Sequence, residues 1–281
     1  MTLAIQMVDV FGAQPLTGNP LAVVFGGEEL GTEDMLRITR WFNLSETTFV
    51  LPPTHPEADY RVRIFTLERE MPFAGHPTLG SCHAWLNAGH APKHADAIVQ
   101  ECGAGLVSIR REGPHLAFAA PALRRSGPPS HAELQEALRF LGIDAAEVTE
   151  AAWVDNGPGW LGIRLASAAQ VLALQPARAW PRRIDIGVVG LYPADSGAAV
   201  EVRAFFSDQH GSIVEDPVTG SLNASVAQWL YASGVLSGPY LARQGSCLGR
   251  DGQVHVSQDA DGQVWIGGAT RTQVRGQLQD P

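Results

Sequence analysis

Ile213-Val214-Glu215-Asp216-Pro217-Val218-Thr219-Gly220-Ser221 decides how this chain of 281 residues is read. A short apolar run ends in an acidic pair, a proline interrupts it, and Gly-Ser opens the apolar segment from Leu222 to Tyr231, which reads as a buried helix. An acid stands at a helix start.

A counterpart lies 140 residues earlier, at Phe73-Ala74-Gly75-His76-Pro77-Thr78-Leu79-Gly80-Ser81, followed by the apolar segment Cys82 to Ala88. Residues 61–84 laid on 201–224 without a gap match at Val62/Val202, Arg63/Arg203, Phe65/Phe205, Pro77/Pro217, Gly80/Gly220, Ser81/Ser221 and Ala84/Ala224. That is seven identities in 24 positions, where composition alone gives about one or two. The pattern predicts an internal duplication. In each half a strand (60–66 and 200–206) leads through a loop to a helix whose first turn carries a titratable residue. A pseudo-twofold axis then makes His76 and Asp216 equivalent and points two helix N-termini at one cleft, an arrangement that suits a small anion.

With 45% hydrophobic residues the chain can bury a large core. The Pro-rich stretch from Ala120 to Pro129 is the expected linker. It separates an N-terminal lobe, residues 1–120, from a C-terminal lobe, residues 130–281, whose last strand has the option of returning to the first lobe. Net charge is −9, and no Lys/Arg run interleaves with aromatics, so no nucleic-acid partner is expected. Cys82, Cys102 and Cys247 are too scattered for a disulfide framework or a zinc site. His83, His90 and His94 lack acidic or thiol partners at ligand spacing, so no metal is expected. No basic leader precedes an apolar run and no stretch reaches membrane-spanning length, which predicts a cytoplasmic protein with no membrane contact.

Along the chain, Leu3 to Val10 and Leu21 to Phe25 read as strands around the turn cluster Pro15 to Pro20, with Gly18-Asn19-Pro20 as a turn residue set that could also line a cleft. Thr32 is the expected cap of a helix with Met35, Ile38, Trp41 and Phe42 on one face, ending near Asn43. Glu46 then stands at the mouth of the strand Thr47 to Leu51, where position alone favours a solvated loop charge. Ala97 to Cys102, Leu106 to Arg111 and His115 to Ala119 read as strands, which leaves Cys102 structural. Ser130-His131-Ala132-Glu133 is a capping box. The glycine-rich run Arg243 to Gly252 resembles a phosphate loop, but a strand follows it, so strand plus turn is expected. Val264 to Gly268 reads as the last strand.

Asp9-Val10-Phe11 with Gly18-Asn19-Pro20, the run Asn43 to Phe49, Pro72 to Pro77, and Glu215 to Ser221 together resemble the PhzF-like family, phenazine-biosynthesis-type isomerases with the diaminopimelate epimerase fold. The resemblance covers nearly the whole chain. It implies an α+β protein of two pseudo-symmetric lobes, each a mixed, curved β-sheet around a central α-helix, and a homodimer. It also implies that Glu46 is the general acid/base, that His76 and Asp216 hold and polarise the substrate, and that Ser221 with the Gly75 and Gly220 amides binds a carboxylate. No metal or organic cofactor is implied. The expected reaction moves a proton between carbons of a small carboxylate, as in the isomerisation of trans-2,3-dihydro-3-hydroxyanthranilate. Two other classes stay open: an amino-acid epimerase using His76 and Asp216 as its two bases, and a binding protein without turnover.

Overall fold

The computed structural model describes residues 2–95, 97–208 and 210–279. The chain divides into two units, Met1–Ala119 with Gly267–Pro281, and Ala120–Ile266. Among the described residues no helix is long and apolar enough to cross a membrane.

The first unit runs β1 (Thr2–Val10), β2 (Asn19–Phe25), α1 (Thr32–Phe42), β3 (Thr47–Leu51), β4 (Tyr60–Phe65), β5 (Glu70–Met71), α2 (Gly75–Asn87), β6 (Ile98–Cys102), β7 (Gly105–Glu112) and β8 (His115–Ala119). Strand β1 pairs antiparallel with β2, β2 runs parallel to β3, and β3 antiparallel to β4. Strand β4 carries β5 as a hairpin arm and β6 as a parallel neighbour, and β6, β7 and β8 continue antiparallel.

The second unit opens with β9 (Arg125–Gly127) and α3 (His131–Leu141), then repeats the first: β10 (Val148–Asp155), β11 (Leu161–Leu165), α4 (Ala168–Ala173), β12 (Asp185–Leu191), β13 (Val200–Ser207), β14 (Ile213–Asp216), α5 (Gly220–Ala232), β15 (Tyr240–Gln244), β16 (Gly252–Gln258) and β17 (Val264–Gly268). Its pairings follow the same sequence, antiparallel β10 and β11, parallel β11 and β12, antiparallel β12 and β13, with β14 as hairpin arm and β15 as parallel neighbour of β13. The duplication read from sequence is present strand by strand.

A strand absent from the sequence reading completes each sheet. β18 (Thr270–Gln279), which follows β17, pairs with β1 of the first unit. β9 lies inside the expected linker and pairs with β10. Each unit therefore takes its outer strand from the segment that follows the other unit's repeat.

Helix α2 packs against β1, β2, β3, β6, β8 and β18, so the sheet curls around it. Its close approach requires Gly80, where a Cβ would stand 2.5 Å from Leu21 Cδ2 and 3.0 Å from Val10 Cγ2. α5 is likewise buried from Gly220 through Ala227. The opposite faces of the two sheets carry separate cores, Met35, Phe49 and Phe65 under α1, and Phe140, Ile186 and Phe205 under α3 and α4.

Some local expectations are corrected. Thr32 is the first helical residue, not the cap, which is Gly31 without a side-chain bond; the Thr32 hydroxyl accepts from Arg63 Nη2 at 2.8 Å. Trp41 is 74% exposed, because only Met35 and Ile38 of its predicted face point fully into the core. The capping box at Ser130 and Glu133 forms as read.

The gapless alignment holds only as far as the strands. Arg63 and Arg203 each lie over the phenylalanine two residues on, Phe65 or Phe205. Each also forms a bidentate pair with a glutamate of the hairpin arm, Glu70 or Glu215. Phe65 faces Glu70 across the first hairpin and Phe205 faces Glu215 across the second, so the second hairpin, arms and loop together, is longer by five residues. Beyond it the helix starts are Gly75 and Gly220, not Gly75 and Glu215. Thr78 and Asn223, the fourth residues of α2 and α5, both bond the carbonyl of the capping residue, Ala74 or Thr219. Asp216 ends strand β14 opposite Ala204, where the first unit has Met71 opposite Ile64; it is not in the first turn of a helix. His76 has Ser221 as its counterpart.

The two arginine pairs make an internal control for burial. Arg203 and Glu215 have side chains only 6% and 13% exposed, against 22% and 38% for Arg63 and Glu70. Replacing Arg203 by Met strands a buried carboxylate and is expected to cost about 3–5 kcal/mol. Replacing Arg63 by Met should cost about 1 kcal/mol. Urea unfolding of the two variants checks the order.

Candidate active site

In the first unit, α1 stops at Asn43, whose left-handed conformation (φ 53°) turns the chain toward β3 and places Glu46 directly before the buried strand. The Glu46 side chain is 18% exposed, and its Oε2 lies 3.7 Å from Nε2 of His76. His76 is the second residue of α2 and 3% exposed. Burial lowers its pKa to about 3, so the imidazole is neutral across the physiological range. Its Nδ1 lies 3.3 Å from Nδ2 of Asn19, a fully buried residue at the start of β2.

The start of α2 has no side-chain cap, since the preceding residue is Ala74. Pro77 removes one first-turn N–H, leaving those of Gly75 and His76 directed along the positive end of the helix. The structure thus brings together Glu46, Gly75 and His76, and adds Asn19, which sequence reading weighted as a turn residue.

In the second unit, α5 starts at Gly220 after Thr219, again without a side-chain cap. The Thr219 amide donates to Gln244 Oε1 at 2.9 Å, and its hydroxyl donates to Asp216 Oδ2 at 2.5 Å. Gln244 Nε2 donates to the Asp216 carbonyl at 3.0 Å and to Thr219 Oγ1 at 2.9 Å. Asp216 is therefore locked to the turn that begins α5, although it lies outside the helix. Ser221 Oγ accepts from Trp160 Nε1 at 3.3 Å, and the Ser221 carbonyl accepts from Asn156 Nδ2 at 2.8 Å. Asp216, Gly220 and Ser221 are thus gathered at one helix start, with Asn156, Trp160, Thr219 and Gln244 as supports that sequence reading missed. Gln244 was hidden in the glycine-rich run, and Asn156 and Trp160 stand where the first unit has Val10 and Leu21.

Cross-strand register identifies a further counterpart. Thr47 faces Phe65 and Ile186 faces Phe205, so the position of Glu46 is occupied in the second unit by Asp185. Its two oxygens accept from Arg183 Nε and Nη2 at 2.8 and 3.0 Å. The repeat keeps a carboxylate there and neutralises it.

Burial raises all three thiol pKa values, that of Cys82 to about 12, so none is a thiolate near neutrality. His83 is engaged by the hydroxyls of Thr270 and Thr272 at 3.0 Å each. Among the described residues no group of three His, Cys, Asp or Glu side chains converges on a metal position.

Comparison with known proteins agrees with this architecture. The family model described as phenazine biosynthesis-like protein matches residues 8–277. The chain is 34% identical to antisense-enhancing sequence 1 of Schizosaccharomyces pombe over 96% of this chain and 97% of that one. It is 35% identical to trans-2,3-dihydro-3-hydroxyanthranilate isomerase of Pseudomonas aeruginosa over 79% of this chain and 77% of the enzyme. The crystal structure of a Bacillus anthracis phenazine biosynthesis protein of the PhzF family superposes with a TM-score of 0.81, covering 99% of both chains at 21% identity. On these matches and on its duplicated fold, the chain belongs to the PhzF family of phenazine biosynthesis-like proteins.

Proposed function

We propose that this protein is an isomerase that moves a proton between two carbons of a small carboxylate substrate without a cofactor, similar to the named trans-2,3-dihydro-3-hydroxyanthranilate isomerases. The observation that carries the proposal is the juxtaposition of Glu46 with a buried, neutral His76 at an uncapped helix start. Glu46 takes the proton as a carboxylate and returns it as the acid. Its 18% exposure limits exchange of that proton with bulk water during transfer. His76 contributes a neutral hydrogen bond to the charge that develops on the substrate. The Gly75 amide, and in the second unit the Gly220 amide with the Ser221 hydroxyl, are assigned to anion binding, and Asp216 to a polar substrate group.

One carrier fits better than two. An epimerase mechanism needs matched bases, yet His76 and Asp216 do not occupy matched positions, and the true counterpart of Glu46 is held by Arg183. The amino-acid epimerase alternative loses its symmetry argument on this ground.

Glu46→Gln is expected to lower turnover of trans-2,3-dihydro-3-hydroxyanthranilate by about 10²–10⁴-fold while binding of the substrate changes little. Steady-state kinetics with calorimetry measure both, and an undiminished rate in the variant would remove Glu46 from the chemistry. Single turnover in D₂O should return product that keeps substrate hydrogen.

The neutral His76 also predicts acid sensitivity. Its folded pKa of about 3 lies below the ordinary 6.5, so below pH 6.5 the unfolded chain binds a proton that the folded chain does not. Stability on this account falls as pH drops from 6.5 toward 3, by about 1.4 kcal/mol per pH unit once the unfolded imidazole is charged. His76→Asn should flatten that part of the stability profile, measured by denaturant unfolding between pH 7 and pH 4.

A further inference from the structure

We propose that Asn19 is a positioning residue that fixes His76 as the tautomer carrying its proton on Nε2, the nitrogen that faces Glu46. The inference rests on the proposed reaction only for why that tautomer is useful.

The Asn19 amide is placed with its nitrogen toward the ring, and the direction of the bond follows from that placement. An amide nitrogen can only donate, so the 3.3 Å contact from Asn19 Nδ2 makes Nδ1 of His76 the acceptor. A neutral imidazole with Nδ1 accepting carries its proton on Nε2. That nitrogen is buried without a hydrogen-bond partner among the described residues and lies 3.7 Å from Glu46 Oε2. Turning the amide over would put its oxygen against Nδ1, move the proton there, and leave the Nε2 lone pair facing a carboxylate oxygen. While Glu46 is the carboxylate that receives the proton, the opposite tautomer therefore sets acceptor against acceptor.

Asn19 is held for this task on both sides. Gly18 precedes it at a point where a Cβ would meet Val10 O at 2.1 Å and Asp9 Oδ1 at 2.6 Å, and its amide donates to Asp9 Oδ1 at 2.9 Å. The other Asp9 oxygen accepts from the Leu16 amide at 2.7 Å, and Arg271 Nη1 donates to Gly12 O at 2.6 Å. Phe11 and Leu16 both adopt φ near 69°, a strained conformation for non-glycine residues that the surrounding bonds maintain. Pro20 fixes the backbone immediately afterwards. The loop thus spends strain to deliver one buried amide to one imidazole nitrogen.

The test is ¹⁵N NMR of the histidine-labelled protein, with Asn19→Asp, which keeps the size of asparagine, and Asn19→Leu, which keeps its branching without polar atoms. Wild type should show a neutral His76 with its proton on Nε2 at pH 7. Asn19→Asp, which offers only acceptors beside Nδ1, should convert the ring to the Nδ1–H tautomer or to imidazolium. Asn19→Leu should give a mixture of tautomers. Where the substrate assay reports turnover, kcat should fall at least about tenfold in both variants with KM changed less. A wild-type ring protonated on Nδ1, or variants that keep the wild-type signature, would overturn the assignment. The wild-type spectrum decides even if a variant does not fold. Lack of turnover with the chosen substrate would count against the proposed reaction and leave the tautomer result standing.

Discussion

A helix enclosed by sheet must still satisfy the amides of its first turn. Most helices meet this requirement with a serine, threonine or aspartate at the cap, and α3 does so through Ser130 and Glu133. α2 and α5 do not; both begin without a side-chain cap, at Gly75 and Gly220, inside buried surroundings. Donors in that position call for a negatively charged partner. Polar residues surround each start separately, Glu46, His76 and Asn19 in one unit and Asp216, Thr219, Ser221 and Gln244 in the other, each set within otherwise apolar packing.

The two units show how one framework accommodates unequal chemistry. The arginine over its phenylalanine and the glutamate on the hairpin arm recur in both, and so does the fourth-residue bond to the capping carbonyl. These belong to the fold. What differs is concentrated at the helix starts: histidine against serine, Glu46 against an arginine-bound Asp185, and Val10 and Leu21 against Asn156 and Trp160. Because the same architecture forms with either set, packing alone does not dictate these residues.

Much of this was legible in the residues. The strand Thr47–Leu51 appears with the bounds read from its β-branched and aromatic run, and the duplication was visible at Val62, Arg63 and Phe65. The same alignment misled beyond Phe65, since five extra residues in a hairpin cannot be seen when chance identities such as Pro77 and Pro217 continue the match. Trp41 satisfied the helical period, but the period does not report how much sheet lies beneath the helix end. β18 was missed because Thr270–Gln279 is mostly polar and half exposed, with no apolar face to announce it. Asn19 read as a turn because its partner lies 57 residues away and no local pattern encodes that bond.

The exchange of outer strands has a bearing on biosynthesis. β1 is made before the second unit, yet its neighbour β18 emerges only after the whole of that unit. Domains ordinarily fold in order from the N-terminus as the ribosome delivers them. Here the leading half waits with one flank of β1 uncovered, a surface open to stray strand association until the closing segment arrives. Nascent chains stalled before Thr270 would expose that flank for as long as the stall lasted, which makes the timing of translation part of how this fold is reached.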